Sequence, residues 1–297
     1  MFMKNFICLI LAAGKGTRMK SNIPKVLHKI LGKPMIEYVI EEVKKILFEN
    51  IFVIVGYKKD EVKSYLEKYD LNFIIQEPQL GTGHAIMQAI PYIKDFDKDI
   101  LILNGDMPLI TSEILEDFLK FHKEKNANLS IVTAYLDNPF GYGRIIRENG
   151  KIIRIVEEKD AKEEEKKIKE INAGVYCFNA KILEELVNLI TNNTAQKEFY
   201  LTDCVKLAVN KNLNVEGFKV DSEYILGINT KEDLARIEEI IRKKILKELM
   251  LKGVIIKDPS STYIEKEVEI GIDTVIFPQT YIIGKSKIGE NCFIGPF

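Results

Sequence analysis

At 297 residues, with 46% hydrophobic and 29% charged side chains, the chain has ample material for a core and is long enough for one large and one small domain. Its net charge of −1 excludes a broadly basic surface, so nucleic acid is not an expected partner and any phosphate must be met by locally placed cations. Cys8, Cys177, Cys204 and Cys292 lack paired or metal-type spacing, and His28, His84 and His122 are not at ligand spacing. Reduced thiols in a cytoplasmic protein are therefore expected, not a disulfide framework or a histidine metal site.

The run Phe6 to Ala12 carries no charge and reads as a buried strand. It is too short, and too soon followed by glycines and cations, for a signal peptide, and no run approaches the roughly 18 apolar residues of a membrane span. Next come Ala13, Gly14-Lys15-Gly16 and Arg18. Such a turn at a strand end either aims backbone N–H groups at a phosphate or is a plain βα turn with surface cations. It is not a Walker loop, and Met19 stands where a dinucleotide fingerprint has its third glycine.

Strand and helix signals then alternate, which predicts βαβ units and a mostly parallel sheet. Pro34 fits a first helical turn, and Ile36, Val39, Ile40, Val43 and Leu47 follow at helical spacing. Ile51–Val55 is a strand, Asp60–Tyr69 a helix and Phe73–Ile75 a third strand ending at Gln76. The loop Glu77–Gly83 leads into a helix containing Ala85, Ile86, Ala89 and Ile90, and Ile100–Leu103 is a fourth strand with Asn104-Gly105-Asp106 at its C-terminal end. Thr111 or Ser112 caps a helix to about Lys125, and Leu129–Tyr135 is the fifth strand.

From Asp137 the pattern loosens: a Gly141-Tyr142-Gly143 turn, and short strands around Ile145 and at Ile152–Val156. The charged stretch Glu157–Glu170 reads as a solvated loop or short helix. Ile171–Phe178 is a strand, Asn179 caps a helix to Ile190, and after the polar run Thr191–Tyr200 a short helix spans Thr202–Val209. Val215–Phe218 and Tyr224–Leu226 read as strands, and Thr230 with Asp233 has capping-box spacing before the longest helix, to about Leu251. Beyond Lys257-Asp258-Pro259 the period becomes six. Ile264, Ile270, Ile276, Ile282, Ile288 and Ile294 recur without a miss, with small residues Val268, Thr274, Thr280, Ser286 and Cys292 four positions after the first five. Two registered rows of this kind predict about two coils of a left-handed parallel β-helix, the start of a longer solenoid.

The opening loop, Gln76 with Gly81-Thr82, Asp106 and Asn229 all fall at one edge of the expected sheet, where open α/β sheets bind ligands. Gln76 carries an amide for a base edge. Asp106 has the hard oxygen that suits Mg2+ shared with substrate phosphates. Arg18 and Lys25 are the cations nearest the glycine loop. Each residue alone also has an ordinary reading as turn, cap or surface charge. Together they read as a nucleotide site.

Leu11-Ala12-Ala13-Gly14-Lys15-Gly16-Thr17-Arg18-Met19 with Pro24-Lys25 resembles the signature of sugar-1-phosphate nucleotidyltransferases. Leu80–Ala85, Asn104–Pro108, Gly141–Ile145, Val156–Ala161, Glu170–Gly174, Gly227–Asn229 and the hexads narrow the resemblance. They point to bacterial bifunctional N-acetylglucosamine-1-phosphate uridyltransferases/glucosamine-1-phosphate acetyltransferases. The resemblance implies a Rossmann-like nucleotidyltransferase domain at 1–229, a linker helix and connection at 230–257, and first β-helix coils at 258–297. It implies UTP and N-acetylglucosamine-1-phosphate as substrates, with Mg2+. Leu11, Ala12, Ala13, Gly14, Gln76, Gly81 and Thr82 would hold the nucleotide, and Arg18 and Lys25 its phosphates. Asn104, Gly105, Gly143, Glu157 and Asn172 would hold the sugar, and Asp106 and Asn229 the metal. The family's acetyltransferase residues belong to later coils, so acetyl transfer is not expected of these 297 residues. The resemblance implies a homotrimer through the β-helix in the parent family and leaves the oligomeric state of these 297 residues open.

Overall fold

A computed structural model describes residues 5–47, 49–94, 97–192 and 197–297. Met1 to Lys4, and residues 193–196 within the polar run 191–200, lie outside the described residues. The central sheet is built around β1 (Phe6–Ala12). It runs parallel to β4 (Ile51–Val55) on one side and β6 (Asp99–Asn104) on the other, and β5 (Asn72–Ile75) extends it beyond β4. β1 and β4 read as near-continuous apolar runs because both faces are covered. One face packs on α1 (Met35–Ile46), α2 (Lys59–Leu66) and α4 (Ser112–Glu124), through Val39, Val43, Val62, Leu115 and Phe118. The other packs on α3 (Thr82–Ile93), α6 (Ala180–Val187) and α7 (Asp203–Asn210), through Ile86, Leu183 and Val205.

The strand order is β11 (Val215–Lys219), β7 (Leu129–Tyr135), β10 (Glu170–Asn179), β6, β1, β4, β5. β10 runs antiparallel to both β6 and β7, whereas β11 pairs parallel with β7. The hairpin β8 (Arg144–Glu148) and β9 (Lys151–Val156) hangs off the first half of β10. The fold is thus α/β with a mostly parallel central sheet, as expected.

Three local expectations need correction, and one hairpin went unforeseen. Tyr224–Leu226 is not a strand: Ser222–Ile225 forms a 3-10 turn, because Asp221 caps the Glu223 N–H at 2.9 Å and winds the chain before it can extend. The helix from Ala180 stops at Val187, not Ile190. A hairpin of β2 (Lys29–Ile30) and β3 (Lys33–Pro34) precedes α1, turning at Leu31 (φ 43°) and Gly32 (φ 82°). Finally, Glu157–Glu170 is only partly solvated. It contains the one-turn helix α5 (Glu163–Lys166), but Glu158 pairs with a fully buried arginine and Glu157 lines a cavity.

The caps at Thr111, Asn179 and Thr230 form as the sequence indicated, the last as a full capping box with Asp233 at the head of α8 (Lys231–Leu251). Beyond α8, two-residue strands stack in three parallel ladders. Tyr263–Ile264 pairs with Tyr281–Ile282, Glu269–Ile270 with Lys287–Ile288, and Val275–Ile276 with Phe293–Ile294, each 18 residues on. Ile255–Ile256, off the six-residue grid, starts the third ladder. Ile264 and Ile276 are fully buried, and Thr274 and Thr280 turn inward at the corners. α8 lies against these strands and the β2–β3 hairpin around Ile241, Ile245 and Leu249.

Candidate active site

β1 ends at Ala12, and the chain leaves the C-terminal edge of the sheet as an open loop. Gly16 sits at φ 64°, and a Cβ there would come within 2.6 Å of the Lys25 Cβ, so only glycine lets the two stretches meet. Gly14 faces open space. That space is a cavity of about 540 Å³ floored by Leu11 to Arg18 and walled by Lys25, Gln76, Gly81, Thr82, Asn104 and Asp106. Gly81 (φ 101°) is pressed on the Phe199 carbonyl, where a Cβ would sit 2.5 Å away. Phe199 N–H donates to the Leu80 carbonyl (2.8 Å), and Gly83 N–H donates to that of Phe199 (2.7 Å). Thr82 does not cap its helix. Its hydroxyl accepts from Leu201 N–H at 3.0 Å.

Gln76 is 3% exposed, and its amide nitrogen donates to the Gly81 carbonyl (2.9 Å) and faces His84 Nδ1 (3.2 Å). Burial holds His84 below its ordinary pKa, so the ring is neutral near pH 7. Gln88 Nε2 faces His84 Nε2 at 3.2 Å as well, and a neutral imidazole accepts from only one of the two amides. The Gly81 bond thus fixes one amide hydrogen of Gln76, while its carbonyl oxygen, and its second hydrogen when His84 Nδ1 carries the proton, are left for a base.

Where Arg18, Lys25 and Asp106 line this cavity, Asn229 joins them. Lys25 Nζ bonds Asp106 Oδ2 and also donates to Asn229 Oδ1 (2.8 Å), which accepts from Arg18 Nη2 (2.8 Å) as well. Asp106 follows β6, and its carbonyl accepts from Ile228 N–H (3.0 Å), which brings the segment before α8 alongside. The α8 capping box holds Asn229 too, through its N–H to Asp233 Oδ2 at 3.0 Å. Two oxygen donors on one small positive centre, with room for phosphate beside them, are a donor set that suits Mg2+.

A second cavity of about 280 Å³ shares Leu11, Arg18, Thr82, Asn104, Asp106 and Glu157 with the first and continues to Gly143, Asn172 and Gly174. β10 is irregular between Asn172 and Tyr176. There Asn172 donates to the Tyr176 hydroxyl (2.6 Å) and accepts from Gly174 N–H (3.0 Å). Gly174 (φ 76°) leaves room for Asn104, whose amide nitrogen would lie 2.4 Å from a Cβ. Glu157 Oε1 accepts from the Thr202 hydroxyl at 2.9 Å. Burial raises the Glu157 pKa above 4.5. Asp160 and Asp203 push the same way, and Thr202 and Arg144 oppose them.

Every residue singled out in the sequence lines one cavity or both, except Gly105. Gly105 is buried in the turn after β6, and its N–H donates to the Leu11 carbonyl at 2.9 Å. Sequence reasoning missed Tyr142, Tyr176, Glu198, Tyr200 and Thr202 in the walls. The aromatic pair Phe199-Tyr200 inside a polar run was the available signal. Away from the cleft, Asp99, His122 and Cys177 bring three ligating atoms within 4.8 Å, which their sequence spacing did not indicate. Protein partners hold two of them: Asp99 by Lys123 (2.5 Å) and His122 by Ser130 (2.8 Å).

A predominantly parallel α/β sheet with a glycine loop, a base-sized cavity and a cation–carboxylate cluster at its C-terminal edge defines a nucleotide-handling transferase. The chain belongs to the nucleotidyl transferase family, which matches residues 7–244. It is 50% identical over 289 residues to the bifunctional protein GlmU of Fervidobacterium nodosum, covering 97% of this chain and 62% of that protein. It is likewise 50% identical over 296 residues to the bifunctional protein GlmU of Acetivibrio thermocellus (99% and 64%). The chain thus spans a little under two thirds of the length of these curated relatives. A crystal structure from Bacillus anthracis, described as a glucose-1-phosphate thymidylyltransferase with sucrose, superposes with a TM-score of 0.62 at 20% identity, over 79% of this chain and 94% of that one. That likeness concerns the fold alone. Among the described residues no helix is long and apolar enough to cross a membrane.

Proposed function

We propose that the chain transfers UMP from UTP to N-acetylglucosamine-1-phosphate and releases pyrophosphate. The observation that carries this reading is the meeting of Arg18, Lys25, Asp106 and Asn229 where a base-sized cavity joins a second polar one. Leu11 to Gly14 take the flat face of the nucleotide, and Gln76 accepts from the imide N–H that uracil presents. Gly143, Glu157 and Asn172 receive the N-acetylated sugar, with Asn104 beside them. Gly105 acts through the turn it forms.

The sugar-phosphate oxygen attacks the α-phosphorus of UTP while the bond to pyrophosphate breaks. That nucleophile is already an anion, so no general base or covalent intermediate is required. Positioning and charge stabilisation supply the catalysis. Arg18 and Lys25 bind the phosphates, and Lys25 moves from Asp106 to the nucleotide as it enters. Asp106 and Asn229 would hold Mg2+, which when bound neutralises phosphate charge.

We read the three ladders as first coils of a left-handed parallel β-helix, with the chain dividing at 1–229, 230–257 and 258–297. Three cysteines buried singly, Cys8, Cys177 and Cys204, and a UTP substrate support a cytoplasmic setting.

Pyrophosphate release from each nucleoside triphosphate against a panel of sugar-1-phosphates with Mg2+ tests the reading. UTP with N-acetylglucosamine-1-phosphate is expected to turn over fastest. A faster pair would reassign base or sugar, and no turnover with any pair would remove the enzyme reading in favour of a scaffold.

A further inference from the structure

Arg144 opens β8 and is 1% exposed. Its Nη2 donates to Glu158 Oε2 at 2.6 Å and to the Lys166 carbonyl at 3.4 Å, and Nη1 donates to the Tyr142 carbonyl. The same Glu158 oxygen accepts from Gly141 N–H at 3.1 Å. One ion pair therefore grips two successive backbone groups of the Gly141–Gly143 loop, which bends at Gly141 with φ 86°. The far side of the loop is held as well. The Gly143 carbonyl accepts from Asn172 N–H (2.9 Å), and the Tyr142 hydroxyl accepts from Gly227 N–H (3.4 Å), two residues before Asn229.

Stability is a poor account of this pair. A buried ion pair seldom outperforms apolar side chains of the same volume, and here Arg144 Nε is left buried with no partner. The loop it grips forms the wall of the smaller cavity and reaches toward both Asn172 and the segment carrying Asn229. Its height thus sets the distance between a sugar seated at Gly143 and Asn172 and the cations around the reacting phosphates.

We propose that Arg144 and Glu158 are a positioning pair that fixes the Gly141–Gly143 loop so that the sugar-phosphate acceptor lies in line with the nucleotide; neither touches substrate. This rests on the transfer reaction proposed above. The glycine loop and Gln76 are fixed by other contacts, so the pair acts on acceptor handling and not on nucleotide affinity.

The test is Glu158→Gln, which keeps the shape at a side chain still 20% exposed and removes the charge. With thermal unfolding checked, UTP binding is measured by calorimetry without acceptor, and kcat and KM for N-acetylglucosamine-1-phosphate are measured at saturating UTP. The acceptor kcat/KM is expected to fall roughly 10- to 100-fold, the scale of a small misplacement of reacting groups, with UTP affinity unchanged. Arg144→Lys keeps the charge but loses the fork, and is expected to show the same split. Unchanged acceptor kinetics, or an equal loss of UTP affinity, would overturn the positioning role. Absence of turnover in the unmodified chain would instead overturn the transfer reading beneath it.

Discussion

The two halves of the cleft are made differently. The cavity proposed for the nucleotide is floored by one continuous stretch, Leu11 to Arg18, in which Ala12, Ala13, Gly14 and Gly16 leave the backbone open. Lys25, Gln76, Gly81 and Thr82 stand beside it, and Asn104, Asp106, Glu157, Glu198 and Tyr200 close it. The cavity proposed for the acceptor draws on five separated places, around Asn104, Tyr142, Glu157, Asn172 and Thr202, with Asn104 and Glu157 lining the first cavity as well, and presents side chains held by one another. A phosphate or base face can be met by N–H groups that a single turn supplies. A ring bearing several hydroxyls needs donors from several directions, and only tertiary packing brings them together.

Asp106 belongs to both halves, and its loss should not respect the division. Asp106→Ala at saturating Mg2+ is expected to cost at least about 10²- to 10³-fold in pyrophosphate release, comparable to removing a key electrostatic group elsewhere, while circular dichroism stays native. Near-normal turnover would remove Asp106 from the reacting centre.

A smaller and one-sided loss is expected from Gln76→Ala. Removing its acceptor should lower kcat/KM for UTP by roughly tenfold and narrow the preference for UTP over CTP, as expected for one polar contact. KM for the sugar phosphate should not move. An equal change in both substrates would show that the halves are not separable.

The smallest effect concerns Glu157. Its folded-state pKa is raised above 4.5, mainly by burial, so the folded protein holds this proton more tightly than the unfolded chain. Stability from this group is full below about pH 4.5 and falls as pH climbs from there through the raised value. Glu157→Gln should flatten that slope in a thermal series and be the more stable form near neutrality. Parallel curves would assign the slope to other groups.

The same division explains what could be read from the sequence. The nucleotide half was legible because Gly14-Lys15-Gly16 follows an uncharged strand directly, and because Gln76 and Asp106 each stand just past a strand end. Gly143, Glu157 and Asn172 came only with the resemblance, since no spacing links them. Tyr200 and Thr202 were hidden in a polar run, and they reach the cleft because Phe199 pairs with the Leu80–Gly83 turn. The β2–β3 hairpin escaped notice because its two-residue strands carry lysines and a proline and its turn uses a leucine at positive φ. The hexads were plain because each isoleucine fills one inward position, whereas Ile255–Ile256 joins its ladder 20 residues, not 18, before its partner.

β10 runs against its neighbours, so its first residues, not its last, arrive at the ligand edge. A doubly wound sheet in which every strand points the same way must draw all its recognition from loops that leave strands. The reversed strand lets a loop that enters one take part. It also gathers residues 139–179, including the β8–β9 hairpin and Asn172, into a single returning excursion between β7 and α6. Such an excursion is a natural unit of exchange: transplanting it between relatives should carry over the preference for the sugar and leave the preference for the base where it was.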